Sequence, residues 1–597
     1  MIEIIRFESS LVKKTVIGIL GLFLCASFAL AQSETARLQG TITDASGAVI
    51  PNATIKVINK STNHEVTAQS NSEGNYSILS LQPGQYRIEV TQSNFKTTRQ
   101  DVTLEVAQIA DLNFALEAGD VTAVVEVSTA TPLIESGSSA IGEVIQGKQI
   151  VELPLNGRNV LELARLTPGV TQGIPGGFAT GVGNNAETYR GGNTGGAALS
   201  INGQRTQANN FLLDGVDNNE SLVNTINIFP SAEATQEFRV QTSVAQAEFG
   251  RGGGGIINTV IRSGSNDFHG SAFWFARNDN LDARPTFNTS KSEFRRNQFG
   301  GSLGGPLYLP RFGEGGPSVF AGKDKLFFFA DYEGLRQFLP FGRETATVPT
   351  EAFRRGDFSA LLNPAVSGTS FIQLRDPITG LDIPGNVIPS DRLNPVALNY
   401  LKAFPLPNIA GAGVLNNYET VRVQTVNANT FDLRVDGIIN DKNQIFARGS
   451  VGVYDQVTTS RLPTLPAGFG SGTNPIRTRA LVVGWTSTIT NTLVNDLRVQ
   501  ANRIKYGYTP PFFDTPISAN LGIPNANRDD SLGGGALIGG FNGQLEYTGD
   551  FGPYLVPQNT YQLLNSVSYT TGNHTLRFGR MMKSRQNASH LSRGIVG

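Results

Sequence analysis

Cysteine is nearly absent from this 597-residue chain, in which Cys25 is the single example. Cys25 lies inside an apolar N-terminal run, so the chain after that run has no thiol with which to form a disulfide. Small secreted domains held together by disulfides have several cysteines at close spacing. A disulfide-stabilised extracellular scaffold is therefore excluded.

Charged residues are also scarce, at 16% of the chain against a usual share of about 25%. Lys and Arg number 48 and Asp and Glu number 49, so the net charge is −1 and we expect no nucleic-acid partner. Little charge together with 67 glycines and 35 phenylalanines suits a membrane β-barrel, whose outer surface faces lipid. It equally suits a large secreted all-β protein with long glycine-rich loops. Composition leaves both classes open.

Long apolar runs are limited to the N-terminus. Lys13 and Lys14 precede an apolar run of about 15 residues that ends in Ala29-Leu30-Ala31. A charged start, an apolar centre and an A-x-A site predict a signal peptide over residues 1–31 and therefore an exported chain. The run is shorter than the ~20 residues of a spanning helix, and no later uncharged segment approaches that length. An α-helical membrane protein is excluded.

Histidine is the next scarce residue, and its four examples, His64, His269, His574 and His590, lie far apart in the sequence. None of them stands in an H-E-x-x-H arrangement, so we expect no metal site. No Ser/His/Asp set, carboxylate pair or phosphate-binding loop stands out either. We therefore expect no catalytic residues, no cofactor and no enzyme activity.

Residues 36–118 alternate short β-type runs with clusters of turn residues. Typical runs are Thr54–Ile58 and Tyr86–Val90, and typical turns are Asp44–Gly47 and Gln82–Gly84. This spacing predicts one antiparallel β-sandwich. The segment resembles the carboxypeptidase-regulatory-like, or transthyretin-like, family through Gly40–Asp44, Gly47–Ala53, Glu73–Tyr76 and Leu81–Tyr86. The resemblance implies a module that folds and binds without catalysing a reaction.

Residues 119–140 have the character of a linker and contain the β-branched run Val121–Ser128. Such a run between two domains suits strand addition, in which an extended peptide joins the sheet of a partner protein. The run is equally consistent with the last strand of the sandwich. The residues alone leave both interpretations open.

The sequence pattern of residues 141–262 predicts a compact α+β unit with long loops. A helical pattern over Gly157–Leu166 is stopped by Thr167-Pro168-Gly169, and short strands are predicted around Leu199–Gly203, Asn210–Val216 and Ile256–Ile261. The glycine runs at Gly191–Gly196 and Gly252–Gly255 either form tight turns or line a movable channel. We favour tight turns.

From residue 263 to 597 the chain shows period-two segments separated by long loops. Phe431, Leu433 and Val435, for example, alternate with polar residues. Apolar-out, polar-in alternation is what lipid and lumen impose on the wall of a β-barrel. A soluble sheet with one buried face would show the same alternation. Together with the family resemblance described next, this pattern predicts a fold class that is mainly β, with an N-terminal β-sandwich, an α+β plug and the first part of an antiparallel transmembrane β-barrel.

From Leu153 onward the chain resembles TonB-dependent transporters of the Oar-like kind through several motifs in order. They are Leu153–Asn159, Leu166–Val170, Asn202–Arg205, Asn209–Asn218, Gln236–Thr242, Ala247–Arg251, Ser263–Gly270 and Asp324–Phe329. The resemblance implies a plug inside a barrel of about 22 strands. It also implies an outer-membrane location among lipids, with the sandwich and linker facing the periplasm.

The same resemblance implies a TonB-type energy-transducing protein as partner. It assigns Val124, Val125, Glu126 and Val127 as candidates for the TonB contact, which favours the strand-addition interpretation of the linker. The substrate is an unidentified small molecule, oligosaccharide or peptide. The rival function is binding or adhesion at the outer-membrane surface without energised transport.

Four plug arginines, Arg158, Arg205, Arg239 and Arg251, are candidates for pairing with acidic residues of the barrel interior. Ordinary surface arginines would look the same in the sequence. Roughly 330 residues follow the plug, too few for about 22 strands with long loops. The sequence is therefore expected to be a fragment that lacks the end of its barrel.

Overall fold

The computed structural model describes residues 35–591 with several gaps. The gaps are 128–139, 174–198, 222–223, 225, 244–249, 251, 285, 287–290, 292, 311–318, 468–470, 525–544, 547, 549–552, 573 and 588–589. The predicted signal peptide and Arg251 lie outside the described residues. The expected fold class, mainly β with a sandwich, a plug and a barrel wall, is confirmed.

The N-terminal unit is a two-sheet sandwich. Its strands are β1 (Ala36–Asp44), β2 (Thr54–Asn59), β3 (Glu65–Gln69), β4 (Asn75–Leu81), β5 (Gly84–Thr91), β6 (Thr97–Leu104), β7 (Ile109–Asp111), β8 (Phe114–Leu116) and β9 (Val124–Val127). One sheet has the order β4-β1-β7 with β8 also on β1, and the other has the order β3-β2-β5-β6-β9. Alternate residues such as Leu38, Ile55, Ile88 and Leu104 form the core between the sheets.

Strand β9, which contains the four candidate TonB-contact residues, is the last strand of the second sheet. It runs parallel to β6, with Val124 opposite Thr97 and Val127 opposite Gln100. In the part of the chain that the structure describes, β6 is the only strand paired with β9. The interpretation of this run as the last strand of the sandwich is thus the arrangement observed in the isolated chain.

The second unit, which we call the plug, surrounds a five-stranded sheet of order β10-β15-β16-β13-β14. Its elements are β10 (Ile141–Gln146), α1 (Gly147–Glu152), β11 (Val170–Gln172), β12 (Leu199–Ile201), β13 (Asn210–Leu213), β14 (Val216–Asp217), β15 (Thr235–Ser243) and β16 (Ile256–Ile261), with a 3-10 helix at Thr206–Ala208. Strands β11 and β12 form a separate pair. The helix predicted over Gly157–Leu166 is instead two 3-10 helices, Asn156–Arg158 and Val160–Leu166. Gly157 has a φ of 67°, which a right-handed helix does not permit.

The third unit is a ten-stranded antiparallel sheet, called the barrel sheet below. Its order is β17-β18-β21-β24-β25-β26-β27-β28-β29, with β30 also on β28. These strands are β17 (His269–Asn278), β18 (Arg295–Pro306), β21 (Leu326–Pro340), β24 (Val423–Asn440), β25 (Asn443–Thr458), β26 (Gly472–Thr490), β27 (Leu493–Tyr508), β28 (Tyr554–Thr571), β29 (His574–Asn587) and β30 (His590–Leu591). Two small hairpins pair β19 (Tyr308–Pro310) with β20 (Val319–Ala321) and β22 (Glu344–Ala346) with β23 (Tyr418–Thr420).

The barrel sheet buries its polar face and exposes its apolar face. Asp432 and Arg434 are 2% and 3% exposed, whereas the neighbouring Phe431 and Leu433 are 43% and 41% exposed. A soluble sheet with one buried face would show the reverse. Exposed apolar side chains on long strands are expected where lipid is the solvent, so the burial pattern favours the barrel wall over the soluble alternative.

The two ends of the barrel sheet differ. At one end, short turns join β24 to β25, β26 to β27 and β28 to β29. At the other end, long segments contain α2 (Pro364–Ser367), α3 (Pro395–Ala403), α4 (Ile517–Asn520) and 3-10 helices at Asp279–Leu281, Phe353–Arg355, Ser359–Leu362, Pro384–Asn386 and Ser390–Arg392. Among the described residues, no helix is long and apolar enough to cross a membrane.

Candidate functional site

The plug enters the barrel sheet with the hairpin formed by β13 and β14. Its two-residue turn, Asp214-Gly215, has φ values of 49° and 68°, the left-handed pair that favours Asp-Gly in such turns. Leu213 pairs with Val216 across the turn. This tight turn places Asp214 at the tip of the hairpin, where its side chain is fully buried.

Three arginines of the barrel sheet surround Asp214. Arg434 Nη1 lies 3.2 Å from Asp214 Oδ1, and Arg448 Nε lies 2.5 Å from Oδ2. Arg498 Nη1 donates a hydrogen bond of 2.7 Å to the main-chain oxygen of Asp214. The arginines come from β24, β25 and β27, so one plug residue is bound by three strands of the wall.

Each of these arginines also has a partner on its own or a neighbouring strand. Arg434 Nη2 lies 2.9 Å from Asp436 Oδ1, and Arg498 Nε lies 2.9 Å from Asp496 Oδ1. Buried charges are costly unless they are paired and hydrogen-bonded. Carboxylates of the barrel thus offset part of the free energy needed to bury these arginines, and Asp214 supplies a further carboxylate for two of them.

Asp217, three residues after Asp214, makes a second set of ion pairs. Lys583 Nζ lies 2.6 Å from its Oδ1, and Arg585 Nη2 lies 3.1 Å from its Oδ2, both from β29. Its main-chain N–H donates to Gln562 Oε1 at 3.0 Å, and its main-chain oxygen accepts from Gln500 Nε2 at 2.8 Å. We call Asp214, Asp217 and their five cationic partners the hairpin site.

Apolar contacts accompany the hairpin site. Val216 packs in one buried cluster with Phe446 and Val482 of the barrel sheet. The Arg434 guanidinium lies over the Phe446 ring, 4.6 Å from its centroid. The main plug core also includes barrel residues, namely Leu335, Val426, Ala428, Tyr454, Ile476 and Ile504.

At the hairpin site the plug supplies carboxylates and the barrel supplies the cations, whereas the candidates from the sequence were plug arginines. Arg158 does reach the barrel, where its guanidinium lies 4.2 Å from the Phe273 ring centroid and 4.9 Å from that of Phe275. Its carboxylate partner, however, is Glu233 of the plug, with Arg158 Nη2 2.9 Å from Oε1. A barrel acid was expected there, and the correction is that the barrel supplies aromatic rings.

The other predicted arginines lie elsewhere. Arg239 Nη1 donates to the main-chain oxygens of Val106 and Ala107, at 3.3 Å and 3.2 Å, which belong to the sandwich. Arg205 is exposed at the start of the 3-10 helix Thr206–Ala208. Of the three candidate arginines that the structure describes, Arg158 thus contacts the barrel, Arg239 contacts the sandwich and Arg205 is exposed.

The sequence did contain a signal for the hairpin site. Asp214 stands in a tight-turn dipeptide within the motif Asn209–Asn218. On the barrel side, Arg434 with Asp436 and Arg498 with Asp496 show an i, i+2 spacing of opposite charges on one strand face. What the sequence does not show is that these strands face the hairpin, because their contact joins residues more than 200 positions apart.

Potential metal ligands are not clustered in the described residues. No group of three or more His, Cys, Asp or Glu side chains among them is arranged to hold a metal ion. The functional chemistry visible at the hairpin site is therefore ion pairing between two units of the chain.

Comparison with known protein families gives two matches. Residues 260–594 match the model described as outer membrane beta barrel domain. Residues 37–117 match the model described as carboxypeptidase regulatory-like domain. The two matched ranges include the barrel sheet and strands β1–β8 of the sandwich.

Among individual proteins, the TonB-dependent transporter Oar of Myxococcus xanthus is 30% identical over 321 residues, which are 52% of this chain and 27% of that protein. Solved structures that resemble the fold include the outer membrane transporter YddB from Escherichia coli, with a TM-score of 0.42 and 11% identity over 76% of this chain and 54% of that one. The siderophore receptor PirA from Acinetobacter baumannii has a TM-score of 0.41 and 13% identity over 76% of this chain and 49% of that one. The matches thus span about half or less of each relative.

Proposed function

Since the chain belongs to the outer membrane β-barrel domain family and is therefore an outer-membrane protein, we propose that it is a TonB-dependent transporter or receptor. Its plug lies against the polar face of the barrel sheet, and the hairpin site holds the plug in place. The carbohydrate, peptide or other small-molecule substrate is imported when the plug moves. The short turns face the periplasm and the long loops face the outside, as in other outer-membrane barrels.

The observation that carries this proposal is the burial of Asp214 among Arg434, Arg448 and Arg498. These contacts join two units of the chain through charges rather than through a continuous sheet. Ion pairs between rigid surfaces are broken and remade without unfolding either surface. Such an interface suits a plug that has to leave its seat and return.

The energy for this movement has to come from outside the chain. We propose that a TonB-type protein binds at Val124–Val127 by strand addition. Val124 and Glu126 are exposed in β9, and the strand has one neighbour among the described residues. The partner would supply pulling force to a plug that needs no nucleotide of its own.

The proposal is tested by uptake. Cells that produce the protein are given labelled iron chelates, oligosaccharides and peptides, with the TonB-type protein present or deleted. We expect at least one compound to accumulate, and its accumulation to fall at least tenfold when the TonB-type protein is removed or when residues 121–128 are deleted. Deleting a segment of equal length from the long loops, 376–383, controls for the shortening of the chain. Accumulation that is unchanged by both TonB-directed changes would refute energised transport.

Surface binding or adhesion without transport is the second candidate function. One observation favours it: the long loops pack together around a buried cluster that includes Val348, Tyr400, Phe404, Leu462 and Leu465. Arg461 adds ion pairs to Glu344 at 3.1 Å and to Glu546 at 2.8 Å. A preformed outer surface of this kind suits binding. In the uptake experiment this candidate predicts compound that stays at the cell surface in every strain.

A further inference from the structure

The sandwich lies against the short-turn end of the barrel sheet. Asn63 Nδ2, in the β2–β3 connection, donates to Asp324 Oδ1 at 3.0 Å, and the main-chain N–H of Asn266 donates to the oxygen of Ser61 at 2.9 Å. Asp324 lies in the turn before β21, and Asn266 lies just before β17. The sandwich is thus attached to the rim of the barrel sheet by polar contacts at its β2–β3 end.

A cavity of about 350 Å³ lies between the sandwich, the plug and the barrel sheet. Its lining includes His64 of the sandwich, Arg262 of the plug and Asp436 of the barrel sheet. The sandwich therefore covers the side of the plug that borders this cavity. A substrate that passes the plug on this side has to pass the sandwich as well.

A second contact joins the sandwich to the plug through Glu105–Gln108, which we call the clamp loop. The main-chain N–H of Val106 donates to Glu237 Oε1 of β15 in a short hydrogen bond. Arg239, two residues further along β15, donates to the oxygens of Val106 and Ala107. Gln146 Nε2 of β10 donates to Glu105 Oε1 at 2.8 Å. The clamp loop thus binds two neighbouring strands of the plug sheet.

Glu237 is buried where β15 meets the clamp loop. Burial raises the pKa of its carboxyl group to about 8, and the nearby Glu105 also raises it, whereas Val106 N–H and Arg239 lower it. At neutral pH this carboxyl group therefore holds a proton for much of the time in the assembled protein. A neutral carboxyl group costs less to bury than an ionised one.

Strand β6 connects the clamp loop to β9. Residues Thr97–Gln100 of β6 pair with Val124–Val127, and the clamp loop begins at Glu105, directly after β6 ends at Leu104. On the plug side, β15 pairs with β16, which pairs with β13 of the hairpin. A continuous hydrogen-bonded path therefore runs from β9 through the sandwich and the clamp loop to Asp214.

We propose that the sandwich receives the pulling force: a partner strand adds to the outer edge of β9, and the sandwich leaves the barrel end before the plug moves. This inference rests on the proposed function, and it adds the route of the force. The pull passes from β9 to β6, through the clamp loop to β15, and so to the hairpin. The alternative route is direct, with β9 stripped from β6 and the force carried only by the chain between β9 and β10.

The two routes for the force are distinguished by a cross-link between the sandwich and the barrel sheet. The variant Asn63→Cys with Asp324→Cys is joined by a cleavable bifunctional thiol reagent, since Cys25 in the predicted signal peptide is the chain's only cysteine. The matched control is Lys56→Cys with Glu65→Cys, whose ion pair of 2.8 Å lies wholly within the sandwich. The purified protein in lipid nanodiscs is pulled through a bound periplasmic domain of a TonB-type protein, and the length of chain released is recorded.

At the same force, we expect chain to be released at least tenfold less often from the cross-linked variant than from the same variant without the cross-link. Cleaving the reagent should restore the frequency of release. The control cross-link should leave release unchanged. Equal release from the variant with and without the cross-link would overturn the inference and leave the proposed function standing. A TonB-type domain that fails to bind the intact protein, or binds equally after residues 121–128 are deleted, would refute both.

Discussion

Asp214 is the residue on which the seating of the plug depends most. Its carboxylate is bound by Arg434 and Arg448, and its main-chain oxygen by Arg498, and all four side chains are buried. Removing one partner of a buried ion pair usually costs about 3–5 kcal/mol, because the remaining charge stays buried without compensation. Without the Asp214 carboxylate, Arg434 still pairs with Asp436. Arg448 is affected most, because its side-chain partners in the structure are Asp214 and Ser450.

Replacement of Asp214 by asparagine should therefore loosen the plug without unfolding the barrel. We expect cells with Asp214→Asn to admit a large hydrophilic antibiotic such as vancomycin, with an inhibitory concentration at least fourfold lower than for the unmodified protein. The heat-modifiable migration of the barrel on a gel should stay the same. The control is Asp391→Asn in an exposed 3-10 helix of the long loops. Equal antibiotic sensitivity of the two variants would count against a sealing role for Asp214.

Among the secondary-structure elements, the long strands were more predictable than their contacts. The alternation around Phe431–Val435 predicted a strand with one apolar face, and strand β24 spans it. The sequence did not show which face is buried, because a lipid-facing and a core-facing stripe have the same period. The turn Asp214-Gly215 lies inside the single strand predicted over Asn210–Val216, which the structure divides into β13 and β14. Its partners come from β24, β25 and β27. Contacts between separate units depend on how whole surfaces fit, which no local pattern encodes.

The plug arginines show that the sequence also failed to identify the partners of individual side chains. Arg158 was a candidate for pairing with a barrel carboxylate, whereas the ion pair that it makes with Glu233 lies within the plug. The helix expected from Gly157 onward is replaced by two 3-10 helices separated at Asn159, and Gly157 itself has a left-handed conformation. Glycine in a helical pattern permits either outcome, so the sequence alone did not decide between them.

A lipid-facing charge tests the orientation of the barrel sheet. Leu481 lies near the middle of β26 and is 53% exposed. A lysine at the bilayer midplane of such a barrel costs about 2–4 kcal/mol. We expect Leu481→Lys to lower the free energy of unfolding in lipid vesicles by that amount, measured by urea titration of tryptophan fluorescence. Ile378→Lys, on an exposed long loop, is the control and should change it by less than about 0.5 kcal/mol. A stability equal to that of the control would mean that this face does not meet lipid.

The molecule as a whole has a clear polarity. The sandwich and the short turns lie at one end, the packed long loops lie at the other, and the plug lies against the polar face of the barrel sheet. Three different kinds of contact hold these parts together. They are hydrogen bonds between the clamp loop and plug side chains, ion pairs at the hairpin site and apolar packing around Val216. In the proposed mechanism the rim contact between Asn63 and Asp324 and the hairpin site break one after the other, while the clamp loop stays bound and each unit keeps its own core.

The central claim is that the hairpin leaves its seat when the protein is energised, and the accessibility of Val216 tests it most directly. Val216 is fully buried between the hairpin and the barrel sheet, and Val216→Cys would introduce the only thiol after the predicted signal peptide. We predict that a water-soluble maleimide labels this cysteine in energised cells with an intact TonB-type protein, and at least tenfold more slowly after that protein is deleted. Labelling at the same rate in both strains would contradict the account.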